Sequence, residues 1–372
     1  MRPASDLERR RLNEEFADLC RIRSVSGEEA AIAERVAGEL RAVGLEVESD
    51  AAGNLLARIG GRMPDRSVLL CAHLDTVPHD GVVDPVCTDG GWVSAGDTIL
   101  GADNKAAVAM LLAIARRAKI EGSPVGLELL FTTREETALE GAKAFDIARL
   151  HSTFGYVFDH ASPIGEVVVA SPTYYRLEAH FRGAAAHAGI RPQDGRSAIV
   201  AAARAICAMR VGRLDEETTA NVGWIGGGLA GATNVVPEHA SFLAETRSLD
   251  ADKVEAVVAE MVDRVHEAAN APDTECDVDL IVERLFDGYR HKPKADGIVA
   301  AEDALRDCGY EPTRIVTGGG SDANALEAKG FPCTNLANGT ERNHEPTERV
   351  SVAALEGMLD VVLALLDAAA AG

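Results

Sequence analysis

The stretch CAHLDTVP places His73 and Asp75 two residues apart at the end of an apolar run. In a strand of period two both side chains share one face, so the carboxylate can hold the imidazole in one tautomer. Such a pair commonly supports a metal-bound imidazole, and it is an ordinary strand-end hydrogen bond when it stands alone. Further along, GADNK carries Asp103 at the start of a helical stretch, where an aspartate usually serves as a cap. FTTREETALEGAK sets Glu135 and Glu136 side by side after another apolar run, and YVFDH brings Asp159 to the end of a third. ERNHEPTE holds His344 ahead of the last helix. Each of these has a bland reading alone: a solvated acidic pair, a cap, a loop histidine. Together, residues 73, 103, 135, 136 and 159 fall at the C-terminal ends of expected strands or in the loops just after them. In open α/β sheets that edge is where ligands bind. Two histidines with several carboxylates and no thiolate suit zinc, cobalt or manganese. Two such ions ~3.5–4 Å apart are a recognised device for hydrolysis.

The elements that must position these residues follow from periodicity. RSVLLCAHLD (66–75), PVGLELLFTT (124–133) and YVFDH (156–160) read as strands. Residues 102–118 read as a helix, and a short helix is expected around 139–145. Ser26 with Glu29 has the signature of a capping box before an amphipathic helix that ends at Gly44. The order predicts an α/β layer with a mostly parallel mixed sheet. After residue 173 the pattern changes. Tyr175, Leu177, Ala179 and Phe181 alternate with polar residues, as in a half-exposed antiparallel strand. A helix over about 195–210, strands near 219–225 and 239–247, a Val254–Val265 helical stripe and a strand over 276–283 complete β-α-β-β-α-β. This predicts a ferredoxin-like α+β domain, 174–285, inserted into a discontinuous α/β domain, 1–173 and 286–372.

Composition removes several function classes. The 372 residues carry 59 acidic and 37 basic side chains, a formal charge of −22. That balance lacks the basic footprint that nucleic acid or an anionic membrane surface requires. VAALEGMLDVVLALLDAAAA, the most apolar stretch, is interrupted by Glu356, Asp360 and Asp367, and its apolar residues recur at helical spacing. The N-terminus shows no secretory h-region. Seven scattered cysteines without a CxxC pair fit free thiols in a reducing compartment, so the expected location is cytoplasmic.

Six blocks in order resemble the peptidase T-like dinuclear zinc peptidases, within the wider aminoacylase and carboxypeptidase group. They are CAHLDTVP, GADNKAA, TTREETALEGAK, FRGAAAHAG, GGLAGATNVVPE and GGGSDANALEAKGFP, and they run from about residue 70 to 350. The resemblance implies a catalytic α/β domain with an inserted lid, in keeping with the organisation read from periodicity. It implies His73 and Asp159 as ligands of one metal, Glu136 and His344 of the other, and Asp103 as the bridge. Asp75 then orients His73, and Glu135 is the general base. A cis peptide between Asp103 and Asn104 belongs to the same pattern. In the lid, His187 resembles a histidine that stabilises the oxyanion, and Asn234 and Arg247 match positions that hold substrate. Gly319 and Ser321, in GGGSD, are implied to offer backbone groups to the substrate. His160 departs from the small residue expected after Asp159; strand alternation points it away from the metals, and its competing as a ligand stays open.

The function implied is a metal-dependent exopeptidase, an aminopeptidase of tripeptidase type acting on short peptides. Its cofactors are two divalent ions, Zn2+ first, with Co2+ or Mn2+ as alternatives. An N-acyl-amino-acid amidohydrolase, a carboxypeptidase or a dipeptidase uses the same chemistry and remains a second reading. A non-catalytic metal-binding relative is a third. Relatives commonly dimerise through the lid, which leaves a homodimer open here.

Overall fold

A computed structural model describes residues 1–371. The chain divides into two units, Met1–Ala170 with Arg290–Gly372, and Ser171–Tyr289.

The first unit is built on a nine-stranded mixed sheet. Its order is Val47–Ser49, Leu55–Ile59, Ser123–Thr132, Gly61–His73, Gly155–His160, Cys333–Ala337, Glu166–Ser171 and Tyr289–Arg290, with Thr313–Val316 also beside Glu166–Ser171. The middle of the sheet is parallel: Gly61–His73 pairs in that sense with Ser123–Thr132 and Gly155–His160, which in turn pairs with Cys333–Ala337. Parallel strands covered on both faces should read as unbroken apolar runs. Val68–Ala72 does so, with every residue buried. The helix Ala102–Glu121 packs its alanine-rich length into the same core and is buried from Ala106 to Leu112. The C-terminal helix Val352–Ala371 buries Leu355, Met358, Leu359, Val362 and Leu366. Among the described residues no helix is long and apolar enough to cross a membrane.

A second, four-stranded sheet in this unit was not expected. It orders Thr340–Glu341, Arg349–Ser351, Gly91–Ser94 and Pro85–Thr88, all antiparallel. The hairpin turns at Asp89–Gly90, both with positive φ, which is the Asp-Gly turn chemistry that favours a tight hairpin. The loop holding His344 hangs from this sheet.

The second unit places Thr173–Arg182, Ala198–Ala208, Thr218–Gly227, His239–Ser248, Ala251–Ala269 and Asp277–Phe286 in β-α-β-β-α-β order. The strands run Thr218–Gly227, His239–Ser248, Thr173–Arg182, Asp277–Phe286, all antiparallel, with the two-residue strand Gly212–Arg213 outside the first. That is the ferredoxin-like arrangement. Its core joins Leu177, Ala179, Phe181, Phe242 and Ala244 to the helix residues Ala201, Ala205, Val257, Met261 and Val265.

The capping-box reading of Ser26 and Glu29 is wrong. The helix Ala30–Ala42 is capped at Glu29 with no side-chain bond. Ser26 Oγ donates instead to Asp75 Oδ2 at 2.6 Å. Glu29 Oε1 accepts from the N–H groups of Gly27 and Arg134 at 2.9 and 3.0 Å. Stronger partners in the neighbouring loops took both side chains from the local cap.

Candidate metal centre

Five segments of the first unit bring acidic or imidazole groups together beside its large sheet. His73 closes the strand Gly61–His73 and is buried. Its Nδ1 lies 3.0 Å from the main-chain oxygen of Asp75 and 3.4 Å from Asp75 Oδ1. Both are acceptors, so Nδ1 carries a proton and Nε2 is the nitrogen left to bind a metal. Nε2 lies 3.2 Å from Asp103 Oδ1 and 3.5 Å from Asp159 Oδ1.

Asp75 has a second task. Its Oδ1 accepts from the Glu135 N–H at 3.0 Å and its Oδ2 from the Glu136 N–H at 3.1 Å. One buried carboxylate therefore fixes the histidine and the acidic pair relative to each other. The segment between strand and short helix is tight: Arg134, Ala138 and Leu139 all have positive φ. Asn54 ties its two ends, donating from Nδ2 to Gly141 O and accepting at Oδ1 from the Thr133 N–H.

Asp103 and Asn104, joined by a cis peptide, interrupt the start of the helix Ala102–Glu121 with non-helical dihedrals. Asp159 is bracketed by Asn335, which accepts its N–H at 3.0 Å and donates to its carbonyl at 3.1 Å. His344 has φ 68° and is half exposed. Its Nε2 lies 3.3 Å from Asp103 Oδ2 and 3.0 Å from Glu136 Oε1. Glu136 Oε1 is buried and faces the same point as His344 Nε2.

The donor atoms fall into two groups that share His73. One is His73, Glu135 and Asp159; the other is His73, Asp103 and Glu136, each with its ligand atoms within 4.8 Å of one another. Charge accumulates here beyond what a metal-free pocket tolerates. Burial, then the Asp159 and Glu136 charges, push the Glu135 carboxyl well above the usual carboxylate range. Burial and Asp103 do the same to Asp159. Burial also raises Glu136, against the pull of His344. Burial disfavours the His73 imidazolium, but Asp159, Asp103 and Asp75 outweigh it and raise that group well above its ordinary value. His344, beside Asp103 and Glu136, is lifted to about 10. Protons stand where cations fit. A donor set of buried carboxylate oxygens and imidazole nitrogens suits divalent zinc, cobalt or manganese.

In the second unit His187 pairs with Val235 through an isolated bridge, and Ala188 N–H donates to Asn234 O, so the His187 and Asn234 loops are neighbours. Arg247 stacks over Tyr174 at 4.1 Å and bonds Glu245 at 3.0 Å, within its own sheet. In the first unit the Gly319 N–H donates to Thr317 Oγ1. Ser321 lies in the same glycine-rich turn. It is 1% exposed and N-caps the helix Asp322–Ala328, its N–H donating to Asn324 Oδ1. His160 is in neither donor group.

Some contributors carried no signal of type. Ser26 and Asn335 act on their neighbours as described, and Asn343 Nδ2 donates to Asp103 Oδ2 at 2.8 Å. Glu348 accepts three main-chain N–H groups around Asp103.

Comparison with known proteins places both units. Residues 54–159 match peptidase family M28, and residues 173–272 match the peptidase dimerisation domain. A Bacillus subtilis protein, YqjE, is 35% identical over 97% of this chain and 99% of its own length. The aminopeptidase PepT of Bacillus cereus superposes with a TM-score of 0.86 at 35% identity, covering 97% of this chain and 99% of that one. A tripeptidase of Staphylococcus aureus superposes at 0.92 with 32% identity, covering 98% and 99%. Near full-length likeness at this identity, around a donor set fit for two cations, decides the family: the chain belongs to the peptidase T-like metallopeptidases.

Proposed function

We propose that this metallopeptidase is an aminopeptidase of tripeptidase type, acting on short peptides with a free amino end. The observation that carries the reading is the pair of donor groups sharing His73, with Glu135 adjacent to Glu136. The PepT and tripeptidase likenesses support the substrate class.

Two divalent ions, zinc by preference, would be held by His73, Asp159, Asp103, Glu136 and His344. Bound there, they would supply an acidified water and a polarised carbonyl. Glu135 then has the proton to manage. Its carboxylate takes a proton from the water as the water oxygen bonds to the scissile carbon. The same carboxyl returns it to the leaving nitrogen as the C–N bond breaks. Its high proton affinity among neighbouring carboxylates suits both steps. Asp75 keeps the base in register with His73 through the two N–H bonds described above.

His187, Asn234 and Arg247 belong to the same proposal as substrate-handling groups, with Gly319 as a main-chain contributor. The match of residues 173–272 to a dimerisation domain supports a homodimer, and the expected location is cytoplasmic. The test is turnover of a free tripeptide against its N-acetylated form, after chelation and re-addition of zinc, cobalt or manganese. Cleavage of the free peptide alone supports the reading. Cleavage of the blocked peptide alone overturns it in favour of an N-acyl amidohydrolase.

A further inference from the structure

Glu348 ends the loop that bears His344, where the strand Arg349–Ser351 begins. Its side chain is 1% exposed. Three main-chain N–H groups converge on it: Leu100 and Gly101 donate to Oε2 at 2.8 and 2.7 Å, and Asp103 donates to Oε1 at 2.9 Å. These donors form the turn that delivers Asp103 into the donor cluster. A carboxylate can accept all three because it carries no hydrogen of its own.

The turn is confined from its other side as well. Gly101 has φ 72°, and a Cβ there would lie 3.4 Å from Thr76 Cγ2 and 3.5 Å from Lys105 Nζ. Lys105 is itself buried and anchored, donating to Ile22 O at 2.7 Å. From the same loop as Glu348, Asn343 holds the Asp103 side chain. The loop thus grips the turn twice, once at its main chain and once at its carboxylate.

We propose that Glu348 is a positioning residue that locks the turn Leu100–Asp103 to the loop bearing His344, so that Asp103 and His344 are set for metal binding before any metal arrives. It rests on the reading of Asp103 and His344 as metal ligands. The ordering of two loops 245 residues apart in sequence is then completed in folding and not charged against metal affinity.

The test is Glu348→Gln. A glutamine offers one acceptor oxygen, and its NH2 must face one of the three donors, so at least one bond is lost and two donors are opposed. Competition with a chromophoric chelator should show zinc bound about 10–100-fold more weakly, the usual cost of disturbing a ligand's support. The visible spectrum of the cobalt-loaded protein should change. Glu341→Gln, an exposed change of equal charge in the adjoining strand, should alter neither. Wild-type affinity and spectrum in folded Glu348→Gln would overturn the proposal. Should that variant fail to fold, amide exchange in the wild type decides. Residues 98–104 should stay protected after chelation, and protection that develops only on metal addition overturns the lock. A wild type that takes up no metal refutes the metal reading, while the exchange result still judges the lock.

Discussion

Glu135→Gln separates two roles that the geometry allows for one carboxylate. The substitution keeps length and volume and removes charge and proton affinity. The main chain should stay in place, because the Glu135 N–H bonds Asp75 without help from its own side chain. Glu135 shares a donor group with His73 and Asp159, so it stands where either a base or a ligand could act. A base removed costs ~10²–10⁴-fold in kcat, which is about 3–5 kcal/mol of activation free energy. The metal content should remain at two equivalents. Measuring kcat on a free tripeptide beside metal content by atomic emission distinguishes the cases. Turnover within about threefold of wild type at equal metal content refutes the base, since a catalytic proton carrier is worth far more. Loss of a metal equivalent makes Glu135 a ligand. The metal-free protein adds a second, independent check. Burial and the neighbouring carboxylates raise the folded-state pKa of Glu135 above its unfolded value. The folded chain then binds that proton more tightly, so the group's contribution is present at low pH and lost as pH rises through the raised pKa. Glutamine mimics the protonated form. Chelated Glu135→Gln should therefore melt above chelated wild type at pH 8, with the gap closing towards pH 4. A variant that melts lower at pH 8 refutes the electrostatic account.

Asp75→Asn leaves one acceptor oxygen for the Glu135 and Glu136 N–H groups and turns an NH2 towards the other. Zinc affinity should fall about 10–100-fold in a chelator competition. In Gly141→Ala the new methyl would lie 2.1 Å from Thr133 O and 2.7 Å from Asn54 Oδ1, in the backbone that leads to Glu135. Thermal unfolding should show a loss of about 1–3 kcal/mol, with kcat lowered in step. Lys105 is pushed by burial from 10.5 down to about 8, so the folded state sheds its proton before the unfolded chain does. Stability should rise with pH between those values, by about 3 kcal/mol for wild type relative to Lys105→Met in urea titrations at pH 7 and 10.5.

The groups that meet at the metal centre differ in how visibly the sequence announces them. His73, Glu135, Glu136 and Asp159 each end or follow an apolar run, and a charged residue there is conspicuous because a buried strand has no other use for it. Their common sheet edge followed from parallel order, which sends every strand's C-terminal end the same way. The supports were hidden for a different reason. Glu348, Asn335 and Asn54 act on main-chain N–H and C=O groups, and every residue type presents those alike. Ser26 and Glu29 were worse than silent, since their spacing satisfied a local rule while their partners lay some fifty and one hundred residues away. The sheet that suspends His344 could have been found. VCTDGGWVS alternates around Asp89–Gly90, a hairpin signal of the ordinary kind. Without that hairpin, His344 looked like a loop histidine with nothing to hold it. With it, the strand Arg349–Ser351 is anchored to Gly91–Ser94, and Glu348 carries that anchorage into the turn of Asp103. The ligands are legible as residue types; their geometry is set by backbone contacts between segments far apart in the chain.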